Sequence, residues 1–437
     1  MSGVRALAKA ARRASGVLGR APLERRNAAL LRVASALRGQ CGAILEANRA
    51  DLAAAEGLQA DGSQVPPSLQ RLRLDATKVE AMARGLEALA ALPDPLGRVD
   101  LKRLLDDGLL LERHSVPLGV LAVIFESRPD AAVQIGALAI KSGNAVLLKG
   151  GHEAAATVEL LVSLMRAALV ASELPGDALQ LLHGRREVDA LLAMDDEVDL
   201  VIPRGSAALV RSIKARTRIP VLGHAEGICH MFLDASADPA MALALVRDAK
   251  LQYPEACNAV ETVLIHRACA DRLLPLLVAD LGARGVELRG CPQCRKRVPE
   301  LRPAVAADWR TEYGGPILAL KLVPDLDAAL AHIRRYGSGH TEAIVTQDPA
   351  SAERFLAEVD AAGVYHNAST RFADGYRYGF GAEVGISTSR IHARGPVGLE
   401  GLVTVTYRLH GQGHCVADYG GPGGRGFRHL DLHEEGV

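Results

Sequence analysis

Apolar positions near the start of the chain recur at helical spacing. From Pro22, which suits a first helical position, Leu30, Ala34, Leu37, Cys41 and Ile44 form one face of a helix expected to reach about Asn48. Upstream, Val4, Leu7, Ala8, Ala11 and Val17 alternate with Lys9, Arg12 and Arg13 as in another amphipathic helix. Residues 57–67 are polar, hold two prolines and read as a loop. Asp75 then caps a helix with Val79, Met82, Leu86 and Leu89 on one stripe, stopping at Pro93. A helical collar thus precedes about residue 95.

The period then changes. Residues 109–112 and 120–125 read as strands, the second with six apolar residues in a row, as in a strand buried on both faces. Helical 131–141, extended 145–149 and helical 152–171 follow. Next come extended 179–182, 198–202, 221–223 and 230–233, with helical 207–216 among them. This alternation predicts an α/β protein with parallel sheets covered by helices. It restarts after Asp238 and continues through 262–266, 317–323, 343–346 and 364–367 to about Glu400. Residues 420–426 are glycine-rich and the end is acidic, a tail expected to carry little fixed structure.

At 437 residues the chain suggests two or three domains, and 49% apolar residues suffice for their cores. Basic and acidic side chains balance at 51 each, without a basic stripe interleaved with aromatics, which argues against nucleic-acid binding. The longest apolar runs are too short to span a bilayer, so no membrane role is expected. Seven scattered cysteines suit reduced thiols in a cytoplasmic compartment. Residues 1–23 are arginine-rich and acid-poor like a mitochondrial presequence, but a mature amphipathic helix is the preferred reading.

Chemistry concentrates at Tyr253-Pro254-Glu255-Ala256-Cys257-Asn258, between a proline break and an apolar strand. A cysteine held there can face a cleft and attack an activated carbonyl, although burial as a small hydrophobe is a common fate for free cysteine. Cys291-Pro292-Gln293-Cys294 lacks a second pair or a nearby histidine at ligand spacing and reads as surface-loop cysteines; no metal is expected.

The neighbouring motifs decide between those fates. Glu126-Ser127-Arg128-Pro129-Asp130, Lys141-Ser142-Gly143-Asn144, Ile202-Pro203-Arg204-Gly205-Ser206, the Cys257 stretch, Asn367-Ala368-Ser369-Thr370-Arg371-Phe372 and Ser387-Thr388-Ser389-Arg390 occur in an order that resembles the γ-glutamyl phosphate reductases. The likeness covers about residues 4 to 418, and around 381–402 it is most similar to the reductase half of pyrroline-carboxylate synthases, without the kinase half. It implies an aldehyde-dehydrogenase-like fold. Residues 1–237 would hold the N-terminal helices and a Rossmann-type NADPH domain, with an oligomerisation strand near 109–115. Residues 238–400 would form the α/β catalytic domain, 401–418 a returning oligomerisation strand and 419–437 a flexible tail.

The implied reaction is NADPH-dependent reduction of L-glutamyl 5-phosphate to glutamate 5-semialdehyde in proline biosynthesis. It implies a homo-oligomer, with glutamate 5-kinase as pathway partner. Cys257 would be the nucleophile and Asn258 an oxyanion donor; the cofactor would meet Lys149, His152, Gly205, Ser206 and Glu312. His152 stands where NAD-using relatives carry a ribose-gripping glutamate, which favours NADPH. Arg371, with Asn367, Ser369 and Thr370, would take the substrate carboxylate, and Arg128 and Arg394 the substrate or its phosphate. Relatives that oxidise aldehydes carry a glutamate before a Leu-Gly-Gly turn; this chain has Pro220-Val221-Leu222-Gly223, leaving Glu226 as a base only in a shifted register. Alternatives are a related acyl-phosphate reductase or acylating aldehyde dehydrogenase on another acid, and a non-catalytic scaffold of a proline-synthesis complex.

Overall fold

The computed structural model describes residues 2–60, 69–126, 128–223, 226–421 and 423–432. Helix α1 (Ser2–Leu18) buries Val4, Ala8 and Ala11 and leaves Val17 exposed. Its Arg12 reaches Asp199 at 2.6 Å, whose carboxylate also accepts from Val120 N at 2.7 Å. The helix expected from Pro22 to about Asn48 is two, α2 (Leu23–Gly39) and α3 (Cys41–Ala60), parted at Gln40. The apolar spacing runs through the break, so periodicity alone could not show it. Helix α3 also continues past Gly57, where a loop was expected; 61–68 lie outside the described residues. After the short α4 (Leu69–Leu72), α5 (Ala76–Ala91) starts where Asp75 accepts from Lys78 N at 2.7 Å. It stops as Leu92 turns extended ahead of Pro93.

A hairpin, β1 (Val99–Asp106) and β2 (Leu109–Pro117), leads into the first α/β unit. This unit runs β3 (Val120–Phe125), α6 (Pro129–Lys141), β4 (Ala145–Lys149), α7 (Ala155–Ala171), β5 (Leu179–Leu181), α8 (Arg185–Leu191), β6 (Leu200–Arg204) and α9 (Ala207–Arg216). Its strands are parallel in the order β5-β4-β3-β6, and every β3 residue is buried. Residues 221–223, expected as a strand, make only a single bridge from Val221 to Val201. The helical stretch His152–Ala171 is long and apolar enough to cross a bilayer, but Val158, Leu161, Met165 and Leu169 bury one side of it in the core.

The second unit runs β7 (Cys229–Leu233), α10 (Pro239–Leu251), β8 (Val260–His266), α11 (Ala270–Gly282), β9 (Glu287–Gly290), α12 (Pro292–Arg297), β10 (Arg302–Pro303), β11 (Ile317–Val323), α13 (Leu326–Tyr336), β12 (Thr341–Val345), α14 (Pro349–Glu358) and β13 (Gly363–His366). Its strands are parallel in the order β10-β9-β11-β8-β7-β12-β13. The boundary expected at 237/238 therefore falls before Cys229, because β7 pairs with β8 and β12. Alternation along a sequence does not say which sheet a strand joins.

The chain returns through the ribbon β14 (Ile386–Ser387) and β15 (Gly395–Pro396) to β16 (Val403–His410), and later β17 (Leu430–Asp431). A third, antiparallel sheet has the order β16-β2-β1-β17. The tail expected to lack fixed structure is thus partly tied down: β17 pairs with β1, and Arg428 N donates to Leu105 O at 2.8 Å.

Candidate active site

The segments after β3 and β6 face those before β7 and β8, so the carboxyl ends of the first sheet meet the Cys257 loop across a cavity of about 630 Å³. The loop is a tight turn, with Ala256 N donating to Tyr253 O at 3.1 Å and Ala259 N to Ala256 O at 2.9 Å. Buried Thr370 donates its hydroxyl to Asn258 O at 2.7 Å, and Asn258 Nδ2 donates to Ala373 O at 2.9 Å. The Cys229 thiol points at Cys257 O at 3.4 Å. Below lies Gly227, where a Cβ would come within 2.0 Å of Cys257 O. Gly227 N donates to Glu312 Oε2 at 3.0 Å, and Ile228 N to Ser338 Oγ at 2.9 Å. The loop is therefore held on all sides with the half-buried Cys257 facing the cleft. Among the described residues no acceptor takes the Cys257 N–H, which leaves that donor for an oxyanion.

Six of the expected site residues besides Cys257 line this cavity: Asn258, Gly205, Ser206, Glu312, Arg128 and Arg371. Asn258 corrects one expectation. Its side chain is buried and committed to Ala373 O, so it fixes the loop instead of reaching for an oxyanion. Arg371 is buried, donates from Nε to Gln252 Oε1 at 2.9 Å, and lies 5.9 Å from the Tyr253 ring centroid. Burial first, then Arg377, push its pKa down, while the Cys257 charge opposes them.

The sequence reading missed Arg204, the last residue of β6, which also lines the cavity. Burial is the main cause of its lowered pKa, followed by Arg128; Glu383, Cys257 and Asp130 pull the other way. Two guanidinium groups, Arg204 and Arg371, thus line the cavity together with Cys257. The signal for Arg204 was position: it directly precedes the Gly205-Ser206 step.

Gly205 and Ser206 open α9, with Ser206 Oγ accepting from Leu209 N at 3.3 Å. Ser206 N donates to Glu126 Oε2 at 3.3 Å, and a Cβ at Gly205 would lie 2.6 Å from that oxygen. The backbone there is open enough for an anion, and the donor already holds a carboxylate, so a dinucleotide pyrophosphate fits this step by displacing Glu126. Lys149 closes β4 and bonds to Gly150 O, its pKa lowered by burial. Exposed His152 sits 3.3 Å from the Glu153 carboxylate. Both lie outside the lining of the Cys257 cavity, at and just past the carboxyl end of β4.

Four expected substrate residues are not in the cleft. Asn367 exchanges hydrogen bonds with Thr346 at 2.9 and 3.0 Å. Ser369 Oγ caps the turn to Arg371 N at 3.3 Å, and Thr370 supports Asn258 O. These three stand behind Arg371 and the Cys257 loop. Arg394 pairs with Asp360 at 2.8 Å beside two other cavities, so its expected substrate contact does not hold in this arrangement. Glu226 pairs with Arg211 at 2.7 Å, and Glu255, which lines the cavity, pairs with Arg71 at 2.8 Å. His224 lies outside the described residues. Cys291 and Cys294 are buried, not in a surface loop; their sulfurs are 3.6 Å apart at the start of α12. Among the described residues no group of three or more His, Cys, Asp or Glu is placed to hold a metal ion.

Comparison with known proteins matches residues 2–287 to the aldehyde dehydrogenase family. A γ-glutamyl phosphate reductase of a Synechococcus strain is 57% identical over 97% of this chain and 93% of the relative. γ-Glutamyl phosphate reductase 1 of Synechocystis is 50% identical over 99% of each. The crystal structure of the Thermotoga maritima γ-glutamyl phosphate reductase superposes with a TM-score of 0.90 at 40% identity, covering 94% of this chain and 99% of that one. A Methanocaldococcus jannaschii glyceraldehyde-3-phosphate dehydrogenase complexed with NADP shares the fold, with a TM-score of 0.67, 16% identity and 94% of each chain covered.

Proposed function

The chain belongs to the aldehyde dehydrogenase family and, within it, to the γ-glutamyl phosphate reductases, and from that premise we propose that it reduces L-glutamyl 5-phosphate to L-glutamate 5-semialdehyde through a thioester on Cys257. The observation that carries this reading is Cys257 fixed in a cleft that it shares with guanidinium groups and the N-terminus of α9. Sγ attacks the acyl carbon, the carbon–oxygen bond to phosphate breaks, and phosphate leaves with the electron pair. The carbonyl oxygen turns toward Cys257 N–H as it gains charge. Bound NADPH supplies the hydride that reduces the thioester carbon. As the carbon–sulfur bond then breaks, the sulfur leaves as thiolate and the aldehyde is released. Glu226 and Glu255 are each paired with an arginine, Arg211 and Arg71, which disfavours either as a free base for hydrolysis.

Gly205, Ser206 and Glu312 would hold the dinucleotide near the thiol, and Lys149 with His152 its adenosine end. Arg371 would grip the substrate α-carboxylate. In this reading the four-stranded unit binds cofactor and the seven-stranded unit carries the nucleophile. A homo-oligomer, a cytoplasmic location and a glutamate 5-kinase upstream complete it.

The test runs the reaction in reverse, from glutamate 5-semialdehyde, phosphate and NADP, following NADPH absorbance. Wild type should form NADPH only with phosphate, and Cys257→Ala should abolish it. Formation without phosphate would mean that water resolves the thioester, and the proposal fails.

A further inference from the structure

Arg204 is a half-buried cation at the cavity wall. Its stem lies along the backbone of Gly385, where a Cβ would be 3.6 Å from Arg204 Nε. Among the described residues no acceptor hydrogen-bonds its guanidinium and no carboxylate pairs with it. Glu383 and Asp130 act on it only through longer-range charge. Arg128, which lines the same cavity, pairs with Asp130 at 3.3 Å. By contrast, Arg371 in the same cleft is already oriented by Gln252 and Tyr253. Two like charges sharing a partly dry cleft are unfavourable until an anion joins them, and a guanidinium fork matches phosphoryl oxygens bidentately.

We propose that Arg204, with Arg128 beside it, is the phosphoryl fork of the cleft, holding the phosphate of the acyl phosphate while Cys257 attacks. This deepens the proposed reaction and rests on it. Arg204 stays protonated throughout: it donates hydrogen bonds to the phosphate oxygens as the carbon–oxygen bond breaks, and no proton or electron passes through it. The same chemistry could be addressed to a dinucleotide pyrophosphate, since Gly205 and Ser206 follow directly. The leaving phosphate is favoured because Arg204 lines the same cavity as Cys257, at the reacting centre.

The test compares wild type, Arg204→Gln, Arg204→Lys and Arg371→Lys in the reverse reaction, with phosphate and NADP varied separately. Arg204→Gln should raise the KM for phosphate about tenfold or more, as expected for loss of a charged hydrogen bond, with the KM for NADP nearly unchanged. Arg204→Lys should restore part of the effect, and Arg371→Lys should raise the KM for the semialdehyde instead. A second readout does not need turnover. Inorganic phosphate should slow alkylation of Cys257 by iodoacetamide, relative to each protein's own phosphate-free rate, in wild type and not in Arg204→Gln, whose melting temperature reports an intact fold. An unchanged phosphate KM, absent phosphate protection in wild type, or a raised NADP KM alone would overturn the assignment; the last would move Arg204 to the cofactor. If wild type forms NADPH without phosphate, the reaction itself is misassigned, and the alkylation comparison still decides whether Arg204 binds phosphate.

Discussion

Gly227 shows how finely the cysteine loop is set at the scale of single residues. Any side chain there meets Cys257 directly, since a Cβ would approach its carbonyl oxygen to 2.0 Å and its Cα to 2.8 Å. Both atoms are backbone, so the strain relaxes only by moving the loop and its sulfur. A shift of about 1 Å in a nucleophile can lower a rate by about a hundredfold. Gly227→Ala should therefore cut kcat by about that factor while thermal unfolding changes little, and steady-state kinetics beside a melting curve would check it. Equal activity in the variant would mean that the loop tolerates displacement. Cys257 was legible because it stands among motifs in a definite order, whereas Arg204 was not: its value lies in facing the sulfur across a cleft, which linear spacing does not report. Asn367, Ser369 and Thr370 misled for the opposite reason. Their polar side chains suit a ligand equally well, but folding commits them to the backbone behind Arg371 and Cys257.

Between elements, α10 and β8 are joined beneath the site by Lys250 and Glu261, both fully buried and 2.6 Å apart. Burial is the main influence on each, pushing the lysine pKa down and the Glu261 carboxyl up to about 7 from 4.5. Removing one partner leaves the other charge buried alone, at a cost of about 3–5 kcal/mol. Lys250→Met should accordingly unfold at lower urea at neutral pH. The sign with pH follows from the raised carboxyl value. Below 4.5 the carboxyl is protonated in folded and unfolded chains alike, and its contribution is fully present; it is lost as pH rises through about 7 and beyond in the variant. Urea midpoints across pH 4 to 9, as an experimental range of roughly that span, should show the variant closest to wild type in acid and furthest from it in base. A constant gap would point to lost packing alone. Elements of this kind were read with uneven success. The runs of β3 and β11 stand out because both faces are buried, whereas β1 and β9 alternate charged with apolar residues and pass for loop.

For the whole molecule, the third sheet places β16 at an edge, hydrogen-bonded to β2 along its full length. Val405, Tyr407 and Leu409 project from one face of it and are 45%, 59% and 57% exposed. A strand edge backed by three large apolar side chains is a pairing surface that a monomer would ordinarily blunt with charge or cover. This is the strand proposed for oligomerisation after residue 401, although its apolar alternation alone would have put that face in a core. Because β2 leads within three residues into β3, the same edge is mechanically continuous with the sheet that would bind cofactor. Light scattering behind size exclusion should give a mass that is a multiple of 46.2 kDa for wild type. Tyr407→Asp with Leu409→Asp puts two charges on that face and should yield a single-chain species of lower melting temperature, with Cys257 still alkylated at the wild-type rate. If wild type already runs as one chain, the exposed face of β16 has another use; if the double variant stays assembled, the contact lies elsewhere and β16 is only a sheet edge.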